Sequence, residues 1–226
     1  MVSTLCLLEQ WCVDRAAAGQ KILGLCAPPG SGKSWLACQL QSRLDAACLS
    51  LDDLYWPQPQ LQLHQRGLPG SHDLQLLKQV LADFRQHGKA IAPCFAKELA
   101  AGAGDRQGQR LLAGKLLLLE GWCVGARGVP ALQPYQPVWQ QLDGLLLLRP
   151  PSLGRVMRWR LQAEAKQRQQ GGGALPARLV AAMVQAFYQH LPVEQCFAPL
   201  WQQPQLPTWQ LNLNYKRQPL GFIEAI

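Results

Sequence analysis

The sequence predicts an α/β protein built on a doubly wound, mostly parallel sheet flanked by helices. Three observations carry this expectation. The apolar runs Lys21–Cys26, Ala47–Leu51, Leu116–Leu119 and Leu145–Leu148 are too short for helices and read as strands. Helical patterns lie between them, the alternation expected of parallel strands joined by crossover helices. The runs are also continuously apolar rather than alternating, as in strands covered on both faces.

In chain order, residues 3–18 carry helical spacing, with Leu5, Leu8, Cys12 and Ala16 near one face. Ser3 or Thr4 can cap this helix and Gly19 can end it. After the first strand come a glycine-rich turn, a helix over about Lys33–Ala46, and the second strand. Leu54–Ser71 is rich in Pro, Gln and Gly and reads as a loop with one helical turn. Asp73–His87 is a helix with Leu74, Leu77, Leu81 and Phe84 on one side, and Ile91–Phe95 a further strand. The glycines of Ala100–Gly108 predict a flexible excursion. Pro151–Gln170 is a polar, arginine-rich helix broken by Gly171-Gly172-Gly173; Leu175–His190 is amphipathic; Trp209–Leu213 is a last strand. No internal repeat is visible, and 226 residues suit one domain over 1–226.

Composition narrows the function classes. With 48% hydrophobic and 16% charged residues, the chain is a packed globule rather than a disordered one. The net charge of +8 fits a solubilising surface or a basic mouth for a phosphate-rich ligand. The basic residues thicken late, between Arg149 and Arg168, without the basic face and aromatic or helical readers of a nucleic-acid binder, so no nucleic-acid partner is expected. The eight cysteines form no C-x-x-C pair and read as buried reduced thiols. No segment reaches the ~18 apolar residues of a membrane span. Met1–Leu8 carries no basic residue and Glu9 follows at once, unlike a signal peptide, so a cytoplasmic location is expected. Oligomeric state is not legible.

The chemistry begins at Ala27-Pro28-Pro29-Gly30-Ser31-Gly32-Lys33-Ser34. This matches the phosphate-loop pattern G-x-x-x-x-G-K-[ST] except that Ala27 stands at the first position. Backbone N–H groups of Pro29–Ser34 (Pro29 itself excepted) can face one concavity and cradle phosphates, at the positive end of the following helix. Lys33 can reach the β- and γ-phosphates of ATP, and the Ser34 hydroxyl can ligate magnesium. A strand before and a helix after the loop make a chance glycine turn a poor alternative.

Two acidic positions follow predicted strands. Asp52 and Asp53 come after Cys48-Leu49-Ser50-Leu51, and Glu120 after Leu116–Leu119. Ligands of open parallel sheets bind at the carboxyl ends of strands, so both positions belong near the phosphate loop. Glu120 can hold magnesium directly or through water. Asp52 or Asp53 can accept a proton from an attacking hydroxyl, while the other caps a turn, with Asp53 the better candidate for the cap.

The chain resembles the D-glycerate 3-kinase family, within the phosphoribulokinase, uridine kinase and pantothenate kinase group of P-loop kinases. The matching text is Pro29–Ser34, Leu51-Asp52-Asp53-Leu54-Tyr55, Arg66-Gly67-Leu68-Pro69-Gly70-Ser71-His72-Asp73, Gly104-Asp105-Arg106, Leu119-Glu120-Gly121-Trp122-Cys123-Val124-Gly125 and Trp159–Glu164. The Arg66–Asp73 and Glu120–Gly125 segments are far more specific than the phosphate loop. The last ~40 residues resemble the family only weakly.

The resemblance implies a P-loop NTPase fold with a helical lid over about 150–175 and ATP-dependent phosphorylation of D-glycerate to 3-phosphoglycerate. It makes Asp52 the base and gives Tyr55 a part in shaping the pocket. A carboxylate substrate asks for cationic partners. Candidates are Arg66, His72, Lys97 and Arg106; three have a plain alternative: Arg66 a solvated loop charge, His72 a turn closure, Asp105-Arg106 an internal ion pair. Arg155, Arg158 and Arg160 resemble a kinase lid, with Arg158 placed to stabilise the transferring phosphoryl group; a solvated basic helix is the alternative. Two departures stand out. Where the family has aspartate then lysine after Pro93-Cys94-Phe95, this chain has Ala96 and Lys97. The usual glycine-methionine text after the lid is replaced by Gly173-Ala174-Leu175-Pro176. A kinase for another hydroxyl substrate, such as a sugar or nucleoside, and a catalytically impaired nucleotide-binding protein are the other readings.

Overall fold

A computed structural model describes residues 4–61, 67–100, 103–169, 176–192, 194–196 and 206–225. The elements are α1 (Thr4–Ala17), β1 (Ile22–Cys26), α2 (Lys33–Gln41), β2 (Ala46–Ser50), α3 (Leu74–His87), β3 (Lys89–Ala96), β4 (Asp105–Ala113), β5 (Leu116–Gly121), α4 (Gln136–Trp139), β6 (Gly144–Arg149), α5 (Leu153–Gln169), α6 (Ala177–His190), β7 (Thr208–Leu213) and β8 (Pro219–Ala225). Short 3-10 turns cover Leu51–Leu54 and Pro130–Tyr135.

The main sheet has the order β2-β5-β1-β6-β7-β8. All neighbours are parallel except β7 and β8. Successive side chains of a strand point to opposite faces, and here both faces are covered. Leu117, Leu119, Leu145 and Leu147 join Leu77, Leu81 and Phe84 of α3, Val138 of α4 and Phe187 of α6 in one core. Leu116, Leu118, Leu146 and Leu148 join Leu8 and Trp11 of α1, Leu36 and Leu40 of α2 and Trp159 of α5 in the other. Both faces of β1, β5 and β6 being dry explains why their sequences are unbroken apolar runs.

Local chemistry sets several element ends. The Asp73 carboxylate accepts from the Leu76 N–H at 3.0 Å and opens α3, and Gly88 closes it at φ 66°. Asp143 accepts from the backbone N–H groups of Lys21 and Ile22, both at 2.8 Å, and pairs with Arg85 of α3 at 3.0 Å. This ties the start of β1 to the α3 layer.

Several sequence expectations are corrected. The helix after the phosphate loop ends at Gln41 rather than near Ala46, because Ala46 already belongs to β2. The helical turn expected within Leu54–Ser71 begins earlier, at Leu51. The excursion over Ala100–Gly108 gives way at Asp105 to β4, which pairs antiparallel with β3 in a separate two-stranded sheet. Its residues from Gln107 to Leu111 are exposed, so no apolar alternation marked it as a strand. The strand β8, antiparallel at the sheet edge, was not foreseen. Cys12, Cys26, Cys123 and Cys196 are buried, but Cys6 and Cys38 are exposed. Gly171–Gly173 and Arg66 lie outside the described residues. No helix among the described residues is long and apolar enough to cross a membrane.

Candidate active site

Register decides what meets at the carboxyl edge of the sheet. Glu120 of β5 sits beside Leu25 of β1 on one side and Ser50 of β2 on the other. The phosphate loop leaves β1 just past Cys26, and the 3-10 turn bearing Asp52 leaves β2 just past Ser50. Glu120 is thereby held between the two.

The loop turns on glycine. Gly30 and Gly32 have φ of 82° and 92°, a region that L side chains rarely adopt. A Cβ on Gly30 would also lie 3.1 Å from the backbone N and 3.3 Å from the Cα of Arg160, so α5 rests directly on the loop. Ala27 is buried at the first position, where a methyl group is accommodated. Pro29 and Gly30 are half-buried, and Ser31 is buried with its N–H on the Pro28 carbonyl at 3.3 Å. Its Oγ has no hydrogen-bond partner among the described residues.

The Ser34 hydroxyl donates to Glu120 Oε1 at 2.8 Å, and Lys33 Nζ stands 3.8 Å from Oε2. Glu120 is 4% exposed, and Oε2 accepts no hydrogen bond among the described residues. A hydroxyl and a buried carboxylate with spare acceptor capacity are hard oxygen donors of the kind magnesium takes alongside substrate phosphates.

The Asp52 end is built differently. Ser50 Oγ accepts from the Asp52 N–H at 3.3 Å, capping the 3-10 turn. Lys97 Nζ donates to Asp52 Oδ2 at 2.7 Å. Burial alone would raise the Asp52 pKa, but the charges of Lys97 and Lys33 and the Lys97 hydrogen bond outweigh it. Asp52 is therefore held anionic, well below the usual carboxylate range. Asp53 points elsewhere: it accepts from the Phe95 N–H at 3.2 Å and pairs with Arg110 at 2.7 Å, fastening the β3–β4 hairpin to the turn. Burial raises its pKa, partly offset by Arg110.

Tyr55 and His72 form an isolated antiparallel bridge and stack with ring centroids 4.5 Å apart. His72 is 2% exposed and also faces Trp122 at 5.7 Å. Its Nδ1 lies 2.7 Å from the Tyr135 hydroxyl, which accepts from the Gly70 N–H at 3.1 Å. Burial lowers the His72 pKa to about 4, against the opposing pull of Asp52, so the ring is neutral near pH 7.

Arg106 is largely committed to the scaffold. Its guanidinium donates to the Tyr55 carbonyl at 2.9 Å and pairs with Asp73 at 3.1 Å. The internal ion pair weighed from the sequence is thus present, but with Asp73, while Asp105 accepts from the backbone N–H groups of Gln58 and Arg106. On α5, Arg155 lies 4.6 Å over the Tyr215 ring, Arg160 pairs with buried Glu164, and Arg158 is exposed. Tyr135, Arg110 and the ionic role of Asp73 were missed by sequence reasoning. Tyr135 sits in a proline-rich stretch with no motif, and its partner is 63 residues away.

No family model matches the chain. An uncharacterized kinase of Schizosaccharomyces pombe, mug58, is 31% identical, over 63% of this chain and 69% of that protein. The chain belongs to the D-glycerate 3-kinase family of P-loop kinases. The chloroplastic D-glycerate 3-kinase of Arabidopsis thaliana is 27% identical, over 84% of this chain and 52% of the relative, so the chain spans about half the length of that protein. The solved D-glycerate 3-kinase of Cryptococcus neoformans shares the fold at a TM-score of 0.82 and 21% identity, covering 99% of this chain and 100% of that one. The phosphate loop, the mostly parallel sheet and the flanking helices of this chain are the scaffold it shares with the solved P-loop kinases.

Proposed function

We propose that the chain transfers the γ-phosphoryl group of ATP to the 3-hydroxyl of D-glycerate, giving 3-phosphoglycerate and ADP. The observation that carries this is the Lys97–Asp52 pair at 2.7 Å, on the turn that follows Ser50, the register partner of Glu120. A kinase acting on a neutral alcohol has no need of an exposed cation beside its base. An acidic acceptor does: its carboxylate competes for Lys97 and releases Asp52 to take the hydroxyl proton.

The backbone N–H groups of Gly30–Ser34 and the Lys33 ammonium would grip the phosphates, with Arg158 on α5 over the transferring group. Ser34 and Glu120 would hold magnesium, which would supply charge neutralisation for the phosphates. Asp52 accepts the proton of the attacking hydroxyl, and the hydroxyl oxygen forms its bond to phosphorus as the bond to ADP breaks. Tyr55, His72 and Lys97 line the acceptor side. Arg66, in the same stretch as His72, is a further candidate for the carboxylate.

The test is ADP release with D-glycerate, glycerol, a hexose and a nucleoside as acceptors. Magnesium-dependent release with D-glycerate well above the others is expected. Equal or greater release with a neutral acceptor overturns the glycerate assignment.

A further inference from the structure

The contacts around His72 carry an assignment beyond its place in the acceptor pocket, and it rests on that acceptor-side reading. His72 is buried and neutral near pH 7, so its ring carries one N–H. Two arrangements satisfy the 2.7 Å contact with Tyr135. In the first, Nδ1–H donates to the Tyr135 oxygen. The tyrosine then accepts twice, counting the Gly70 N–H, and its own proton has no acceptor among the described residues. The Nε2 lone pair is left unpaired as well. In the second, Tyr135 accepts from Gly70 and donates to Nδ1, and only Nε2–H is left without a partner. Buried polar groups are paired wherever geometry allows, so the second arrangement is favoured. Only the second leaves a donor on the imidazole ring; the first leaves its Nε2 an acceptor.

That donor is at the ring edge away from Tyr135. Tyr55 covers one ring face, and Trp122, two residues past Glu120, lies 5.7 Å from the ring. Asp52 is near enough for its charge to act on the ring. We propose that Tyr135 is a positioning residue that holds His72 as the Nε2–H tautomer, so that the buried ring presents an N–H donor to a hydroxyl or carboxylate oxygen of the acceptor. Tyr135 itself touches no substrate. Its backbone anchor at Gly70 couples the donor to the loop between residues 67 and 72, so the orientation of the ring and the shape of the pocket are set together.

Long-range proton–nitrogen spectra of histidine-labelled protein report which ring nitrogen is protonated. The chain has four histidines, and His72→Gln assigns the signal. The expected wild-type pattern at neutral pH is Nε2–H alone. Tyr135→Phe should give a mixed pattern and raise the acceptor KM roughly tenfold, with the ATP KM unchanged. His72→Gln, whose amide nitrogen reaches the Nε2 position, should retain more turnover than His72→Asn, whose amide reaches only Nδ1. An Nδ1–H or doubly protonated pattern in the wild type overturns the proposal. So does a Tyr135→Phe protein with unchanged pattern and KM. If Tyr135→Phe does not fold, the wild-type pattern and the Gln–Asn comparison decide. If the wild type phosphorylates no hydroxy acid, the glycerate assignment fails, while the nitrogen pattern still decides the role of Tyr135.

Discussion

The phosphate loop and the proposed acceptor end of this site meet at one sheet edge but are made of different material. The phosphate end is backbone: two glycines at positive φ, a helix start, and the close approach of α5 to Gly30. Its side-chain contribution is compact, with Lys33 and Ser34 both against Glu120. The acceptor end is side chains paired over long stretches of sequence: Asp52 with Lys97, Asp53 with Arg110, Asp73 with Arg106, His72 with Tyr135. The difference teaches where specificity resides. A triphosphate offers the same oxygens to every kinase, and a backbone cradle suffices for it. An acceptor must be told from its analogues, which takes charges and donors set at fixed positions.

Four changes would break or sharpen this division. The largest effect is expected at the acceptor end. Asp52→Asn should lower kcat roughly a thousandfold while the ATP dissociation constant stays within about twofold; single-turnover kinetics with nucleotide titration separate the two. Comparable loss of ATP binding would show that the ends are not independent.

The next effect is a pH dependence of stability. The folded His72 titrates at about 4 and an unfolded histidine at about 6.5. Between these values the unfolded chain takes up a proton that the folded ring refuses, so this contribution is complete above about 6.5 and is lost as pH falls toward 4. The loss should be on the order of 3 kcal/mol. Denaturant melts across that range should show the slope in the wild type and a shallower one in His72→Gln.

Gly30→Val tests the phosphate end alone. It forces a side chain into positive φ and against the α5 backbone. A loss of about 1–3 kcal/mol in stability and weaker nucleotide binding are expected, with the acceptor KM unaltered; thermal melts and nucleotide titration read both. The smallest effect is expected for Ala96→Asp, which sets a second carboxylate next to Lys97 and competes with Asp52 for it. Glycerate turnover should rise roughly threefold, with ATP KM constant. A fall would show that Lys97 serves better when Asp52 is its one acidic neighbour.

The sequence by itself determined the scaffold and the phosphate end. Ile22–Cys26, Leu116–Leu119 and Leu145–Leu148 announce buried strands because water reaches neither face. Gly30, Gly32, Lys33 and Ser34 are legible because their chemistry is contiguous in the chain. Asp52 and Glu120 are placed at strand ends by the same local logic, and register sets those ends side by side, with Asp52 on the turn just past β2 and Glu120 in β5. Only the tertiary structure decided what Asp52, Asp53, His72 and Arg106 bond to. Their partners lie 33 to 63 residues away, and nothing in the local pattern of β4 or of Pro130–Tyr135 marks them. Ion pairs and hydrogen bonds are short-ranged in space and indifferent to distance along the chain. That Asp52 pairs with exposed Lys97 while Asp53 fastens the β3–β4 hairpin is decided only once the chain has folded.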